Sequence, residues 1–197
     1  MAKEGTILKL KKVFSMGYVP SRGAQSYSFV SQISKDYYFF HANCFSHACL
    51  NLTNELIDSA NLSFYDSLNF SLGNIFSSTD AEYEFTSFLQ QIGLTTKFVN
   101  NDDLINDFPC FLNENQWIVA LYFCENSNDF HFFLQEKDGS WSGKYSYKNI
   151  VEHFDELPCC YTAPNVQKDK YYFINKYLIT NPHAKTSNKE ENEYANC

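Results

Sequence analysis

The sequence predicts an α+β fold in which N-terminal helices pack on an antiparallel sheet. Two helix-period segments fall in the first half, β-like runs dominate the second, and Asp138-Gly139 between two of those runs is a hairpin signal.

Taken in order, Ile7 to Phe14 alternates Ile7, Leu8, Leu10 and Val13 with lysines at 9, 11 and 12, and reads as an early strand whose lysines form a solvated face. Turn signals follow at Gly17 and at Pro20-Ser21-Arg22-Gly23, inside a polar stretch from Ser15 to Gln32. From Cys44 to Ala60, Phe45, Ala48, Cys49, Leu52 and Leu56 make one helical stripe, with Cys44 at its edge. Thr79 and Glu82 have capping-box spacing, Ala81, Phe85, Phe88, Leu89 and Ile92 form a buried helix face, and Gly93 is a stop. Strands are expected over Leu94 to Val99, Trp117 to Cys124, Phe130 to Gln135, Ser140 to Tyr147 and Tyr171 to Ile179. The length suits one domain over residues 1–180, with a flexible polar tail over 181–197.

Composition narrows the function classes. The chain carries 19 Phe, 14 Tyr and 2 Trp against only 7 Gly and 5 Pro, so a packed core is expected rather than disorder. A net charge of -8 disfavours nucleic acid and anionic membrane surfaces as partners. The longest strongly apolar stretch, Trp117 to Cys124, is too short to span a bilayer, so no membrane insertion is expected. The start Met1-Ala2-Lys3-Glu4-Gly5 has no apolar signal region, which predicts no Sec export. The 7 cysteines are odd in number, irregularly spaced and free of C-x-x-C, a pattern of free thiols in a reducing cytoplasm. There is no G-x-G-x-x-G, P-loop or internal repeat.

The chemistry concentrates in Asn43-Cys44-Phe45-Ser46-His47-Ala48 and Asp129-Phe130-His131-Phe132-Phe133. A cysteine opening a helix and a histidine on a later strand have the layout of a thiol enzyme. The helix terminus favours thiolate, and the imidazole moves the proton. Cys44 is therefore the candidate nucleophile and His131 the candidate base and acid, against the plainer readings of a buried small hydrophobe and a strand histidine packed beside phenylalanines. His47 is a rival base, three residues after Cys44, with no room left for substrate between them; His41 and His153 have no comparable context. With Asp138 and Gly139 as a two-residue turn, His131 falls opposite Ser146, which becomes the candidate to orient the ring; Asn149 and Asn165 are substitutes if the register slips. Asn43 is a candidate oxyanion donor or a helix cap, and Gln32 is better read as a cap or turn residue. Cys44, His47 and Cys49 with Cys159 and Cys160 form the weaker metal-site alternative, because adjacent cysteines fit one ion poorly.

Two strings, Asn43-Cys44-x-x-x-Ala48 and Asp129-Phe130-His131-Phe132-Phe133-x-Gln135-x-x-Asp138-Gly139-x-Trp141-Ser142-x-Lys144, resemble a bacterial group related to the papain-like cysteine peptidases. That resemblance implies a papain-like fold, Cys44 as nucleophile and His131 as its partner. The chain departs from the pattern at Tyr145-Ser146, where relatives often carry Pro-Gly, and at Ala163, where an acidic residue is expected before Pro164. The third member therefore stays open. The segment Lys189-Glu190-Glu191-Asn192-Glu193 is similar to the Glu-rich C-terminal signals of bacterial type IV secretion effectors, some of which are Cys–His–Ser deubiquitinases.

The expectation is a cysteine peptidase or isopeptidase acting on a protein or peptide substrate, ubiquitin linkages included. It would be cytoplasmic, or delivered into a host cell without a cleaved signal peptide. Cys44 forms a thioester, His131 protonates the leaving amine, water completes the turnover, and no cofactor is needed. The alternatives are a thiol acyltransferase, or a non-catalytic binding module on a degenerate protease scaffold with aromatics such as Tyr37 to Phe40 and Tyr171 to Phe173 as its partner surface.

Overall fold

The computed structural model describes residues 4–20, 43–50, 75–99, 112–144, 151–162 and 169–186. Helix α1 (Glu4–Ser15) is followed by a helical segment that begins at Cys44 and winds as a π-helix over Ser46–Leu50, then by α2 (Ser78–Gln91). The strands are β1 (Thr95–Val99), β2 (Gln116–Cys124), β3 (Asp129–Gln135), β4 (Trp141–Lys144), β5 (Val151–Phe154), β6 (Cys160–Thr162) and β7 (Lys170–Thr180). They form one antiparallel sheet in the order β1-β7-β2-β3-β4-β5, with β6 on the early end of β7. Helices followed by an antiparallel sheet make this an α+β fold, as the sequence predicts.

Both faces of the sheet are covered. Phe45, Phe85, Phe88, Leu89, Trp117, Val119, Leu121, Phe132 and Leu134 pack between helices and sheet. On the other face Ile118, Ala120, Tyr122, Phe133, Trp141, Tyr161 and Tyr171 form a second apolar layer. That is why β2 reads as a nearly continuous apolar run rather than an alternation: its residues from Trp117 onward are all buried.

Three local expectations are corrected. Residues 7–14 belong to a helix, not a strand: Thr6, Leu10, Val13 and Phe14 are buried, a 3.6-residue period, whereas Leu8 is exposed. Gly17, at φ 87°, ends that helix by donating its N–H to the Phe14 carbonyl at 2.9 Å. At α2 the cap is Ser77 rather than Thr79. Its Oγ accepts from the Asp80 N–H at 3.1 Å, while Glu82 reaches across to Tyr177 and Asn175 on β7 instead of closing a capping box. The β3–β4 turn has three residues, not two. Glu136 N–H bonds the Ser140 carbonyl at 2.8 Å, Gly139 takes φ 89°, and the Asp138 carboxylate accepts from the Ser140 N–H at 3.0 Å and hydroxyl at 2.6 Å.

Asn181, expected to open the tail, is fully buried. Its Nδ2 donates to the carbonyls of Phe14 at 2.9 Å and Tyr18 at 2.7 Å, tying residues 181–186 to the end of α1. The remainder of the proposed tail, including the Glu-rich segment, lies outside the described residues. Among the described residues no helix is long and apolar enough to cross a membrane.

Candidate functional site around Cys44

Asn43 caps the helical segment: its Oδ1 accepts from the Ser46 N–H at 2.9 Å and its carbonyl from the His47 N–H at 3.0 Å. The cap reading therefore accounts for the Asn43 oxygen. Cys44 follows at the helix start, 6% exposed, with its sulfur against the backbone of β3. The thiol donates to the Phe130 carbonyl at 3.8 Å, and the backbone N–H groups of Phe132 and Phe45 point at the sulfur. Phe130 and Phe132 flank His131, so the nucleophile candidate lies against the backbone on either side of the base candidate. Among the described residues the β3–β4 ladder stops at the Phe133–Gly143 row, and the sulfur sits where β4 no longer pairs.

The two side chains do not meet. Phe130, Phe132 and Leu134 face the helices with Cys44, and strand alternation turns His131 with Phe133 to the other face. There the imidazole is 3% exposed and stacks on Tyr161 at 4.6 Å, with Phe133 at 4.7 Å and Tyr171 at 5.9 Å. Among the described residues its Nε2 has no hydrogen-bond partner. A buried polar atom in that state costs about 1–3 kcal/mol and calls for an explanation.

Electrostatics follow from burial. Loss of solvent pushes the Cys44 thiol up to about 12, and the charge of Asp129 adds to this; the Phe132 and Phe45 N–H groups and Lys144 pull the other way. The helix-terminus effect expected from sequence is thus outweighed by desolvation. Burial also lowers His131 to about 3, with His47 adding to the shift, so the ring is neutral.

His47, set aside in the sequence as a rival base, anchors a buried polar chain. Its Nε2 is 3.2 Å from Ser142 Oγ, which donates to Glu136 Oε1 at 2.6 Å. Since the hydroxyl proton goes to Glu136, Ser142 accepts from His47, which carries its proton on Nε2. Burial lowers His47 to about 3, with the charge of Lys144 adding to it. The acid bonds the serine, and Ser142 is fully buried, so this chain positions the helix on β4. The strand alternation of Trp141-Ser142-Gly143-Lys144 was the available signal: Ser142 and Lys144 share the helix face.

The register that would set Ser146 opposite His131 does not form. Phe133 faces Gly143 and Leu134 faces Ser142, one residue off the register that placed Ser146 opposite His131. Ser146 itself, its substitutes Asn149 and Asn165, and Gln32 and His41 lie outside the described residues. Cys49 is buried with its thiol well above the ordinary value, whereas Cys159 is exposed. Among the described residues no three His, Cys, Asp or Glu side chains converge on a point where an ion could sit.

Comparison with protein-family models, curated proteins and solved structures finds no match to this chain.

Proposed function

We propose that the chain is a cysteine hydrolase of papain-like type, cleaving a peptide or ubiquitin-type isopeptide bond through a thioester on Cys44. The observation that carries this reading is the seat of the Cys44 sulfur: it opens a helical segment, it lies against the two neighbours of His131, and two backbone N–H groups point at it. Donors aimed at the sulfur favour its thiolate, the form that attacks. The unpartnered Nε2 supports the same reading, since a buried polar atom left without a hydrogen bond among the described residues is a feature of functional sites. In this account the described arrangement is a resting one: a neutral thiol and a neutral imidazole on opposite faces, paired only when substrate engages. The two sequence strings add support, and the likeness of Lys189-Glu190-Glu191-Asn192-Glu193 to effector C-terminal signals underlies the reading as a secreted bacterial effector.

One observation favours the second reading, a binding module on a degenerate scaffold: the imidazole is fully packed among aromatic rings on the face away from the sulfur. An electrophilic probe separates the two. Peptides and ubiquitin carrying a C-terminal Michael acceptor are incubated with the native protein, and adducts are located by mass spectrometry. The enzyme reading expects one adduct on Cys44, absent in Cys44→Ala and at least about tenfold slower in His131→Ala. Adducts that form only after denaturation would sink it.

A further inference from the structure

Strand β6 adds one ring to the core. Of its three residues Tyr161 alone is buried, with Cys160 half-buried and Thr162 exposed, and among the described residues it pairs only with β7. That ring lies flat on His131, at 4.6 Å and 20°, and its hydroxyl donates to the Glu152 carboxylate on β5. Beneath it the imidazole is 3% exposed, and Gly143 closes the Nε2 side so tightly that a Cβ there would lie 3.2 Å away. An imidazolium carries N–H on both nitrogens, and the one at Nε2 would have no acceptor among the described residues. A tyrosine face attracts a cation but replaces neither that acceptor nor the lost solvent. From this packing we propose that β6 is an acid-released strap: protonation of His131 drives Tyr161 off the ring and lifts β6 from β7, while the longer strands stay paired. The device does not depend on chemistry at Cys44.

Of the rings around His131, Tyr161 is the one that can leave. Phe133 stands on β3, which β2 and β4 hold; Tyr171 stands on β7, which β1 and β2 also hold. A short strand with one partner and one buried ring opens at low cost. The charged and titratable groups on this face do not answer the proton. Asp129 on β3 accepts from the Tyr171 hydroxyl at 2.6 Å, Glu152 on β5 accepts from Tyr161, and Tyr122 on β2, opposite His131, donates to the Pro158 carbonyl at 2.7 Å. Cys124 on β2 is buried, Lys176 on β7 lies over Trp141 at 5.9 Å, and His153 on β5 is exposed. None of them bonds Nε2. Burial lowers His131 to about 3, and His47 on the helical segment adds to it. The closed form thus holds the ring neutral, and the open form returns it toward the ordinary 6.5. Closure is insensitive to pH above 6.5, and each unit below that, down to about 3, multiplies opening about tenfold.

The test is amide hydrogen exchange followed by NMR at pH 7, 6 and 5 in the native chain and His131→Phe. Rates are converted to protection factors, so that the pH dependence of exchange itself cancels. Protection of the β6 amides should fall about 25-fold from pH 7 to 5 and stay below that of the β2 amides, which report global unfolding. His131→Phe, whose ring suits an aromatic site and takes no proton, should keep β6 protection constant. Protection of β6 that is constant in the native chain, that equals β2 protection throughout, or that falls as steeply in His131→Phe overturns the proposal. Should His131→Phe fail to fold, the native chain decides by its own resonances: the His131 ring signal and the Tyr161 amide signal should shift with one midpoint below pH 6.5. A ring that titrates with the Tyr161 signal in place, or β6 signals that stay fixed until the whole chain unfolds, overturns it.

Discussion

Gly143→Ala tests the geometry on which the site depends. A Cβ built there meets Phe133 Cδ1 and Cε1 at 2.5 Å, and His131 Nε2 at 3.2 Å. Ordinary contact begins near 3.4 Å, so the phenyl ring must recede by about 0.9 Å. It has nowhere to go: Phe133 is fully buried, with Tyr122 at 5.1 Å, Phe154 at 5.4 Å and Tyr161 at 5.3 Å around it. Overpacking of this kind costs up to about 3 kcal/mol. Replacing glycine where φ is compatible returns about 0.5–1 kcal/mol through the unfolded chain. The net loss is about 2 kcal/mol, or about 4–8 °C in Tm for a domain of this size. Urea denaturation of the native chain, Gly143→Ala, Phe133→Leu and the double variant measures it. The double variant should be more stable than the sum of the singles by about 1 kcal/mol, because the smaller side chain vacates the clash. Strict additivity, or a Gly143→Ala loss under about 0.5 kcal/mol, would refute the close approach of β3 and β4 and with it the seat of His131.

Three other outcomes follow from the same interactions. His47 and His131 both have folded values near 3, below the ordinary 6.5, so only the unfolded chain takes up protons below pH 6.5; stability is complete above that value and is lost as pH falls toward 3. At pH 5 the loss is about 2 kcal/mol per histidine, and urea midpoints from pH 7 to 5 should fall less steeply in His131→Gln. Asn181→Ala removes the donor to the Phe14 and Tyr18 carbonyls and should cost about 2–3 kcal/mol in chemical denaturation, whereas a true tail residue would cost nothing measurable. Ser77→Ala should cost about 1 kcal/mol and Thr79→Ala much less, the reverse of what capping-box spacing alone implies.

Elements whose signal is local were legible in the sequence. The strands at 116–124, 129–135 and 170–180 carry apolar, β-favouring runs, and α2 carries a 3.6-residue face ending at Gly93. Helix α1 was misread because Ile7, Leu8 and Leu10 among lysines imitate an alternation; only packing shows which of them is buried. Strand β5 (VEHF) and the short β6 lack a periodic signal and exist because β4 and β7 offer them edges.

The site divides the same way. The sequence by itself determined that Cys44 opens a helical segment and that His131 enters a strand, since capping and β-propensity act over a few residues. Whether those two side chains share a face was decided only by tertiary structure. Strand alternation leaves the choice of face to the whole sheet, and one extra turn residue at Lys137-Asp138-Gly139 shifts every row of β4. Burial, which outweighs the helix terminus in setting the Cys44 thiol, is likewise a sum over long-range contacts that no local pattern encodes.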